Sequence, residues 1–271
     1  MTTNNAIPKI IHYCWFGSKE KPELIKKCIA SWKQILPDYK IIEWNENNTQ
    51  FIKHPYFLSA LNNKKWAFAA DYARFLVLQK YGGIYMDTDE EVFSTLNAFL
   101  KYDLFLGFER YKGNIHPMGG VIGAQPNNKT IQKILKTYDD TPFLTEKDCF
   151  DLTPITFRLK KFFIENYNLP LDHDGMTIFE FDTNSAIFPA NYFCEHSGIE
   201  TIAMHHYAFS WKENTLQKKY CIFSDPVSEN HIFSIYNIPT KEMPEQINAK
   251  VLFKCKILGR TILLVREPIK K

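Results

Sequence analysis

Apolar and polar positions along the chain fall into short apolar runs that alternate with segments of helical spacing. Ile10 to Phe16 is a nearly continuous apolar run, which is typical of a buried strand. Apolar residues then recur at helical spacing from Leu24 to Trp32, and Pro22 suits the first turn of that helix. Tyr39 to Trp44 is predicted to be a second strand. This strand–helix–strand opening predicts a parallel sheet covered by helices on both faces.

A long apolar helix is predicted to start near Asn63 and to run through Leu78. Between Trp66 and Leu78 only Asp71 and Arg74 are charged. Gly82 suits the left-handed position at the end of the helix. A strand from Ile84 to Asp87 should follow directly, so one turn would join the helix to this strand.

Later segments continue the mixed pattern of strands and helices. Together they predict an α/β fold in three layers, with a mostly parallel central sheet. The further predicted strands are residues 104–106, 121–122, 178–181 and 187–189, and the further predicted helices are residues 128–138 and 155–164.

Composition narrows the class of protein only slightly. The 271 residues suffice for one large domain with an appendage, and a net charge of +3 is too small to indicate nucleic-acid binding. The six cysteines show no CxxC spacing, which favours reduced, buried thiols over a zinc site or a disulfide framework. We found neither a signal-peptide pattern nor a long apolar run, so a cytoplasmic protein is expected.

The end of the chain differs from the rest in charge. Residues 250–271 carry seven Lys or Arg and one Glu, interleaved with apolar residues. Such a segment suits a terminal strand or helix packed on the domain, and it equally suits contact with the inner face of an anionic membrane. We therefore expect a catalytic domain over 1–215 and a basic, apolar extension over 216–271.

Two aspartates, Asp87 and Asp89, end the strand that follows the long helix. In an extended chain both carboxylates would leave one side of the strand, roughly 6.5 Å apart. Ligands commonly bind at the carboxyl end of strands in such sheets. Carboxylate oxygens suit Mg²⁺ or Mn²⁺, and such an ion can neutralise charge on a departing diphosphate.

Other interpretations of the paired aspartates were weighed. A solvated acidic turn is one, since Glu90 and Glu91 continue the run. A calcium EF-hand loop is excluded, because Val92 and Ala98 occupy the positions that need Gly and Glu. An aspartyl-phosphate phosphatase would carry Thr or Val where Glu91 stands.

Asp71 and Arg74 lie three residues apart, on one face of the helix. They could form an ordinary ion pair of a few tenths of a kcal/mol. Their apolar surroundings predict instead a desolvated pair that could hold sugar hydroxyls through charged hydrogen bonds. Tyr85 lies on the Asp87 side of the strand and could reach the same pocket.

A second polar cluster contains His205, His206, Ser210 and Trp211. A histidine beside two carboxylates is a plausible third metal ligand, although single histidines are more often structural. The sequence offers no nucleotide-phosphate loop, no GxSxG and no HExxH motif to compete with the aspartate pair.

Three stretches resemble one family of enzymes. IPKIIHYCWFG, AADYARFLVLQKYGGIYMDTD and HHYAFSW are similar to the DXD-containing glycosyltransferases of family thirty-two, over residues 7–211. That family includes bacterial capsule and lipooligosaccharide transferases and the yeast initiating mannosyltransferase, and it is related to the clostridial glucosylating toxins. The resemblance implies a GT-A-like, Rossmann-like nucleotide-binding fold, a divalent metal and retaining transfer from a UDP- or GDP-sugar to a saccharide or lipid-linked saccharide.

The resemblance also implies roles for individual residues. Catalysis would involve Asp71, Arg74, Asp87 and Asp89, and the metal ligands would be Asp87, Asp89 and His206 or His205. The donor would be bound by Tyr13, Trp15, Asp71, Arg74, Tyr85, Asp87, Ser210 and Trp211, with Trp15 stacked on the nucleobase. Two other functions remain open, a metal-dependent phosphohydrolase that uses the same aspartates and a non-catalytic nucleotide-sugar-binding module.

Overall fold

The computed structural model describes residues 6–111, 114–144, 150–196, 201–208, 219–222, 231–239, 250–257 and 260–268. The chain divides into two compact units. The first comprises Met1–Phe143 and Thr153–Phe209, and the second comprises Leu144–Leu152 and Ser210–Lys271. The expected division into 1–215 and 216–271 stays a prediction.

The first unit is built on a seven-stranded sheet with the order β2-β1-β3-β6-β5-β8-β7. Five of its strands run in one direction, and β6 and β7 oppose them. A separate short pair joins β4 and β9 in antiparallel orientation. The strands are β1 (Ile10–Cys14), β2 (Lys40–Trp44), β3 (Gly83–Met86), β4 (Glu90–Val92), β5 (Leu104–Tyr111), β6 (Asn114–Ala124), β7 (Phe179–Phe181), β8 (Ser185–Phe188) and β9 (Ala203–His205).

Helices cover both faces of this sheet. On β1 the neighbouring side chains of Tyr13 and His12 point to opposite faces, as successive strand residues do. Tyr13 packs edge-on against Trp32 of the first helix, while His12 stacks on Tyr81 at the end of the third. The predicted three-layer α/β fold with a mostly parallel central sheet is therefore confirmed. The helices are α1 (Glu23–Ile35), α2 (Pro55–Asn62), α3 (Trp66–Tyr81), α4 (Lys129–Lys136), α5 (Ile155–Tyr167) and α6 (Ala190–Phe193).

The long central helix, α3, is buried around most of its circumference, as its nearly uncharged sequence predicts. It begins at Trp66, three residues after the predicted start. The preceding helix α2 was not predicted. It starts because Pro55 fixes its first position and the His54 side chain accepts the N–H of Tyr56.

The turn between α3 and β3 depends on its two glycines. Gly82 and Gly83 have φ angles of +62° and +104°. A Cβ at Gly83 would lie 2.6 Å from the carbonyl oxygen of Ile10 in the adjacent strand. Only glycine combines this backbone conformation with so close an approach, which lets β3 enter the sheet directly beside β1.

The segment that carries the two aspartates differs from the prediction. Strand β3 ends at Met86, and the N–H of Glu90 donates to the carbonyl of Asp87 at 3.1 Å, which closes a turn over residues 87–90. The prediction that Asp87 and Asp89 project from one side of an extended strand is therefore wrong. Asp and Thr favour such turns, and the ladder to β6 ends with the Asp87 N–H on the Gly120 carbonyl.

The second unit contains a four-stranded antiparallel sheet with the order β10-β11-β13-β12. The basic segment 250–271 contributes two of these strands, and its contact with a membrane stays a prediction. Within the described residues, no helix is both long and apolar enough to cross a membrane. The strands are β10 (Lys219–Ile222), β11 (His231–Pro239), β12 (Lys250–Ile257) and β13 (Arg260–Pro268).

Candidate active site

The candidate site lies where the parallel strands β1 and β3 end. These strands pair in register, with His12 opposite Tyr85. Trp15 follows β1 and Asp87 follows β3, so both emerge at the carboxyl edge of the sheet, where α/β proteins usually bind ligands. This edge gathers residues that are more than 70 positions apart in the chain.

A buried ion pair on α3 forms the floor of the site. Arg74 Nη2 lies 2.6 Å from Asp71 Oδ1, and the two side chains are only 4% and 8% exposed. The other guanidinium nitrogen of Arg74 donates to the carbonyl of Gly119 in β6. The predicted desolvation of this pair is thus observed in the structure.

Arg74 also connects the helix to the aspartate turn. Its Nη2 lies 3.5 Å from Asp87 Oδ1, and its guanidinium lies 4.6 Å above the ring of Tyr85. The hydroxyl of Tyr85 donates to the same Asp87 oxygen at 3.2 Å. Burial raises the pKa of Tyr85 well above its usual value, so the hydroxyl stays protonated and can donate this hydrogen bond. Arg74 and Tyr85 therefore fix the orientation of the Asp87 carboxylate.

Burial also acts on the Asp71 carboxyl. It raises the pKa of Asp71 to about 6, while the nearby charge of Arg74 acts in the opposite direction. Arg74 is thus the group that keeps Asp71 ionised near neutral pH. An ionised Asp71 accepts hydrogen bonds, as a group that holds sugar hydroxyls must.

Asp89 is held by the segment that follows β9. Its Oδ2 accepts the N–H of Ala208 at 2.8 Å and lies 3.3 Å from Nε2 of His205. Burial alone would raise the pKa of Asp89, but these two hydrogen bonds lower it below its usual value. Burial would lower the pKa of His205, yet the carboxylates of Glu90, Asp89 and Asp87 outweigh that effect and raise it to about 10. Asp89 and His205 therefore form an ion pair.

The two adjacent histidines point to different partners. Nε2 of His206 lies 2.8 Å from Oε2 of Glu91, whose other oxygen lies 2.9 Å from Lys27 on α1. His205, by contrast, faces Asp89. The sequence left the choice between these histidines open, and the geometry brings His205 to the aspartate. Ser210 and Trp211 lie outside the described residues.

Tyr13 and Trp15, which are predicted to bind the donor, lie at the carboxyl end of β1. Tyr13 is buried and its hydroxyl donates to Glu43 at 2.5 Å. Trp15 is half-buried and its indole N–H donates to the carbonyl of Lys19 at 2.7 Å. Lys21 lies over both rings, 5.9 Å from that of Tyr13 and 5.3 Å from that of Trp15. A half-exposed aromatic ring beside a lysine suits a negatively charged nucleotide.

The donor atoms at the aspartate turn suit a divalent cation. Asp87 and Asp89 offer carboxylate oxygens and His205 offers an imidazole nitrogen, a set that Mg²⁺ or Mn²⁺ accepts. Across the described part of the chain, no three acidic, histidine or cysteine side chains are already arranged to hold a metal ion. The chemistry of these residues therefore fits a divalent cation, while Asp89 contacts His205 and Ala208, and Asp87 contacts Arg74 and Tyr85.

Two acidic residues were missed by sequence reasoning. Glu90 is completely buried, and burial raises its pKa well above the usual value. Burial likewise raises the pKa of Glu109 on β5 to about 7. Glu90 was weighed only as part of a solvated acidic turn. Its burial arises because β4 pairs with β9, a contact between distant segments that no local pattern signals.

Comparison with known proteins identifies the family that part of this chain resembles. Residues 22–106 match the model of the family described as "Glycosyltransferase sugar-binding region containing DXD motif". The match includes the Asp71–Arg74 pair and the aspartate turn. The predicted resemblance to DXD-containing glycosyltransferases is thereby confirmed.

The names of individual relatives refer to mannosyl transfer. The chain is 32% identical over 142 residues to the mannosyl phosphorylinositol ceramide synthase SUR1 of Saccharomyces cerevisiae, covering 51% of this chain and 37% of the relative. It is 38% identical over 101 residues to inositol phosphoceramide mannosyltransferase 3 of Schizosaccharomyces pombe, covering 36% and 28%. The chain thus spans well under half of the length of either relative.

Among solved structures, the PaToxG glycosyltransferase is similar with a TM-score of 0.48. The sequence identity is 22%, and the match covers 60% of this chain and 70% of that one.

Proposed function

We propose that this chain is a metal-dependent, retaining glycosyltransferase that moves a hexose from a UDP- or GDP-sugar to a saccharide or lipid-linked saccharide. The observation that carries the proposal is the junction of the aspartate turn with the buried Asp71–Arg74 pair at the carboxyl edge of the sheet. This junction lies within the segment that matches the sugar-binding region. Synthesis of a bacterial capsule or surface polysaccharide, in the cytoplasm or at the inner membrane face, is the role that we propose for it.

The relatives suggest the first donor to test. Both carry names that specify mannosyl transfer, and their named acceptors contain a phosphorylinositol ceramide. We propose mannose as the first sugar to examine and GDP-mannose as its donor. The lipid-linked acceptor class is consistent with the same comparison.

Asp71 and Arg74 would act on the donor sugar. Asp71 Oδ1 is bound to Arg74, which leaves Oδ2 to accept hydrogen bonds from sugar hydroxyls. Arg74 keeps that carboxylate charged and, through the Gly119 carbonyl, fixed in place. Orientation of this kind supplies a large part of catalysis when no covalent intermediate is formed.

The turn would hold the diphosphate side of the donor. Asp87, Asp89 and His205 are the residues that would hold the cation, which supplies neutralisation of charge on the diphosphate oxygens. The acceptor hydroxyl would attack from the face that the nucleoside diphosphate leaves, and its proton would pass to the departing phosphate oxygen. Such an attack retains the configuration of the sugar carbon.

Turnover of nucleotide sugars tests the proposal. Release of nucleoside diphosphate from UDP- and GDP-sugars is measured with Mn²⁺, with Mg²⁺ and with a chelator. We expect metal-stimulated turnover of a single donor, and a loss of about 100-fold or more in Asp89→Asn. Asp38→Asn is the matched control, because Asp38 forms an exposed ion pair with Lys9, and it should retain wild-type turnover.

Other outcomes identify the competing functions. Full activity of Asp89→Asn in the presence of a chelator contradicts the proposal. Release of inorganic phosphate from phosphomonoesters, without selective binding of any nucleotide sugar, indicates a phosphohydrolase. Donor binding without turnover, whatever the acceptor, indicates a binding module.

A further inference from the structure

Glu90, directly after the aspartate turn, has an unusual environment. Its side chain is completely buried, yet neither of its carboxylate oxygens has a hydrogen-bond partner. Burying a carboxyl group without a partner costs free energy. The neighbouring Glu91, in contrast, is paired with both Lys27 and His206. The contrast suggests a bound ligand as the partner of the Glu90 carboxyl group.

The carboxyl groups of Glu90 and Asp87 both lie next to Gly120 on β6. A Cβ built at Gly120 would lie 2.5 Å from Glu90 Oε1 and 3.3 Å from Asp87 Oδ2. The methyl group of Met118 would lie 2.8 Å from the same Cβ, so the absence of a side chain at Gly120 lets the two carboxyl groups approach each other. The carboxylate of Glu90 is thus aimed at the same space as that of Asp87, on the side of Asp87 away from Arg74.

The charges around Glu90 are unbalanced. Glu90 interacts electrostatically with the acidic residues Asp87, Asp89 and Glu109 and with the basic residue His205. Arg74, on the other side of Asp87, is already paired with Asp71. A divalent cation would add positive charge where these four carboxyl groups gather.

We propose that Glu90 is an additional oxygen ligand of the divalent cation bound by Asp87 and Asp89, an assignment that rests on the proposed function. A third carboxylate adds the kind of donor that Mg²⁺ and Mn²⁺ prefer. Cation binding would also give the buried oxygens of Glu90 the partner that they lack. Gly120 is required because any side chain there occupies the space between Glu90 and Asp87.

Binding of Mn²⁺ to the full chain, without donor, tests this assignment. Free Mn²⁺ is followed by electron paramagnetic resonance during a titration. Glu90→Gln should bind Mn²⁺ about 10-fold or more weakly than the wild type. Gly120→Ala, which removes no charge but displaces the Glu90 carboxylate, should weaken binding in the same way. Glu91→Gln is the matched control, because it removes one negative charge at the adjacent position, and it should keep wild-type affinity.

Thermal unfolding separates a ligand from a structural residue. Without metal, Glu90→Gln should melt near the wild-type temperature, because the amide has the shape of the carboxyl group and likewise lacks a hydrogen-bond partner. The rise in melting temperature that Mn²⁺ causes in the wild type should shrink in this variant. A lower melting temperature without metal, combined with unchanged Mn²⁺ affinity, would show that Glu90 is structural and would overturn the assignment.

The remaining outcomes distinguish this inference from the proposed function. If donor turnover depends on Asp89 but Mn²⁺ affinity is equal in wild type and Glu90→Gln, only the role of Glu90 is wrong. If Mn²⁺ binding depends on Glu90 but no nucleotide sugar is turned over, only the glycosyltransferase function is wrong. Absence of Mn²⁺ binding by the wild type overturns the assignment as well.

Discussion

The buried pair between Arg74 and Asp71 leads to the sharpest prediction for stability. Replacing Arg74 with Met keeps an unbranched side chain but removes the guanidinium, whose Nη2 lies 2.6 Å from Asp71 Oδ1. The variant also removes the donor to the Gly119 carbonyl. Breaking a buried pair by removal of one partner costs about 3–5 kcal/mol. For a unit of this size, each kcal/mol corresponds to about 2–4 °C, so we expect a melting temperature lower by about 6–20 °C.

A second variant shows whether the unpaired charge is the cause. In the double variant Arg74→Met with Asp71→Asn, the carboxylate is absent, and the protein should regain at least about 1 kcal/mol of the free energy of unfolding relative to Arg74→Met. Lys161→Met is the matched control, because Lys161 forms an exposed ion pair with Glu165 on α5. Loss of that pair should cost a few tenths of a kcal/mol at most.

Urea and thermal unfolding, followed by circular dichroism, provide the measurements. A melting temperature of Arg74→Met within about 2 °C of the wild type would refute the reasoning, since removing one partner of a desolvated pair should destabilise the protein far more. A double variant less stable than Arg74→Met would refute it too. Either result would mean that water or another cation reaches Asp71.

Two further predictions concern the strands beside the site. Gly83→Ala should destabilise the protein by about 3 kcal/mol in urea unfolding, because φ is +104° and the new Cβ would lie 2.6 Å from the Ile10 carbonyl oxygen. Gly107→Ala, at a glycine without positive φ, should cost less, and the reverse order would contradict the argument. Burial lowers the pKa of His12 from 6.5 to about 4, and its Nδ1 accepts the indole N–H of Trp44. The unfolded chain therefore binds this proton first as pH falls, so about 3 kcal/mol of stability present above pH 6.5 should be lost towards pH 4. Unfolding across this range should show a smaller loss in His12→Gln, and an equal loss in both proteins would contradict the assignment.

Much of the central layer was predictable from the sequence because its signals are local. The nearly uncharged run of α3 predicts a buried helix, and the two glycines after it predict the reversal into β3. The pair Asp71 and Arg74 can be placed on one helix face from their spacing alone. These features depend on residues within a few positions of each other, which is the range over which periodicity and turn chemistry act.

The turn over residues 87–90 shows where such reasoning stops. Strict alternation along a strand predicts that Asp87 and Asp89 share a side, yet the strand ends at Met86. The ladder to β6 fixes that end point, because the N–H of Asp87 makes its last bond to Gly120. A partner strand more than 30 residues away thus decided the local conformation.

The order of residues along the chain establishes the chemical content of the site, namely a carboxylate pair, a charged pair on a buried helix and a histidine cluster far along the chain. It also determined the α/β class and the resemblance to DXD-containing glycosyltransferases. Tertiary structure alone decided that His205 faces Asp89 while His206 faces Glu91, and that Glu90 is buried without a partner. The physical reason is that these outcomes depend on the pairing of β4 with β9, segments more than 100 residues apart whose contact no local periodicity encodes.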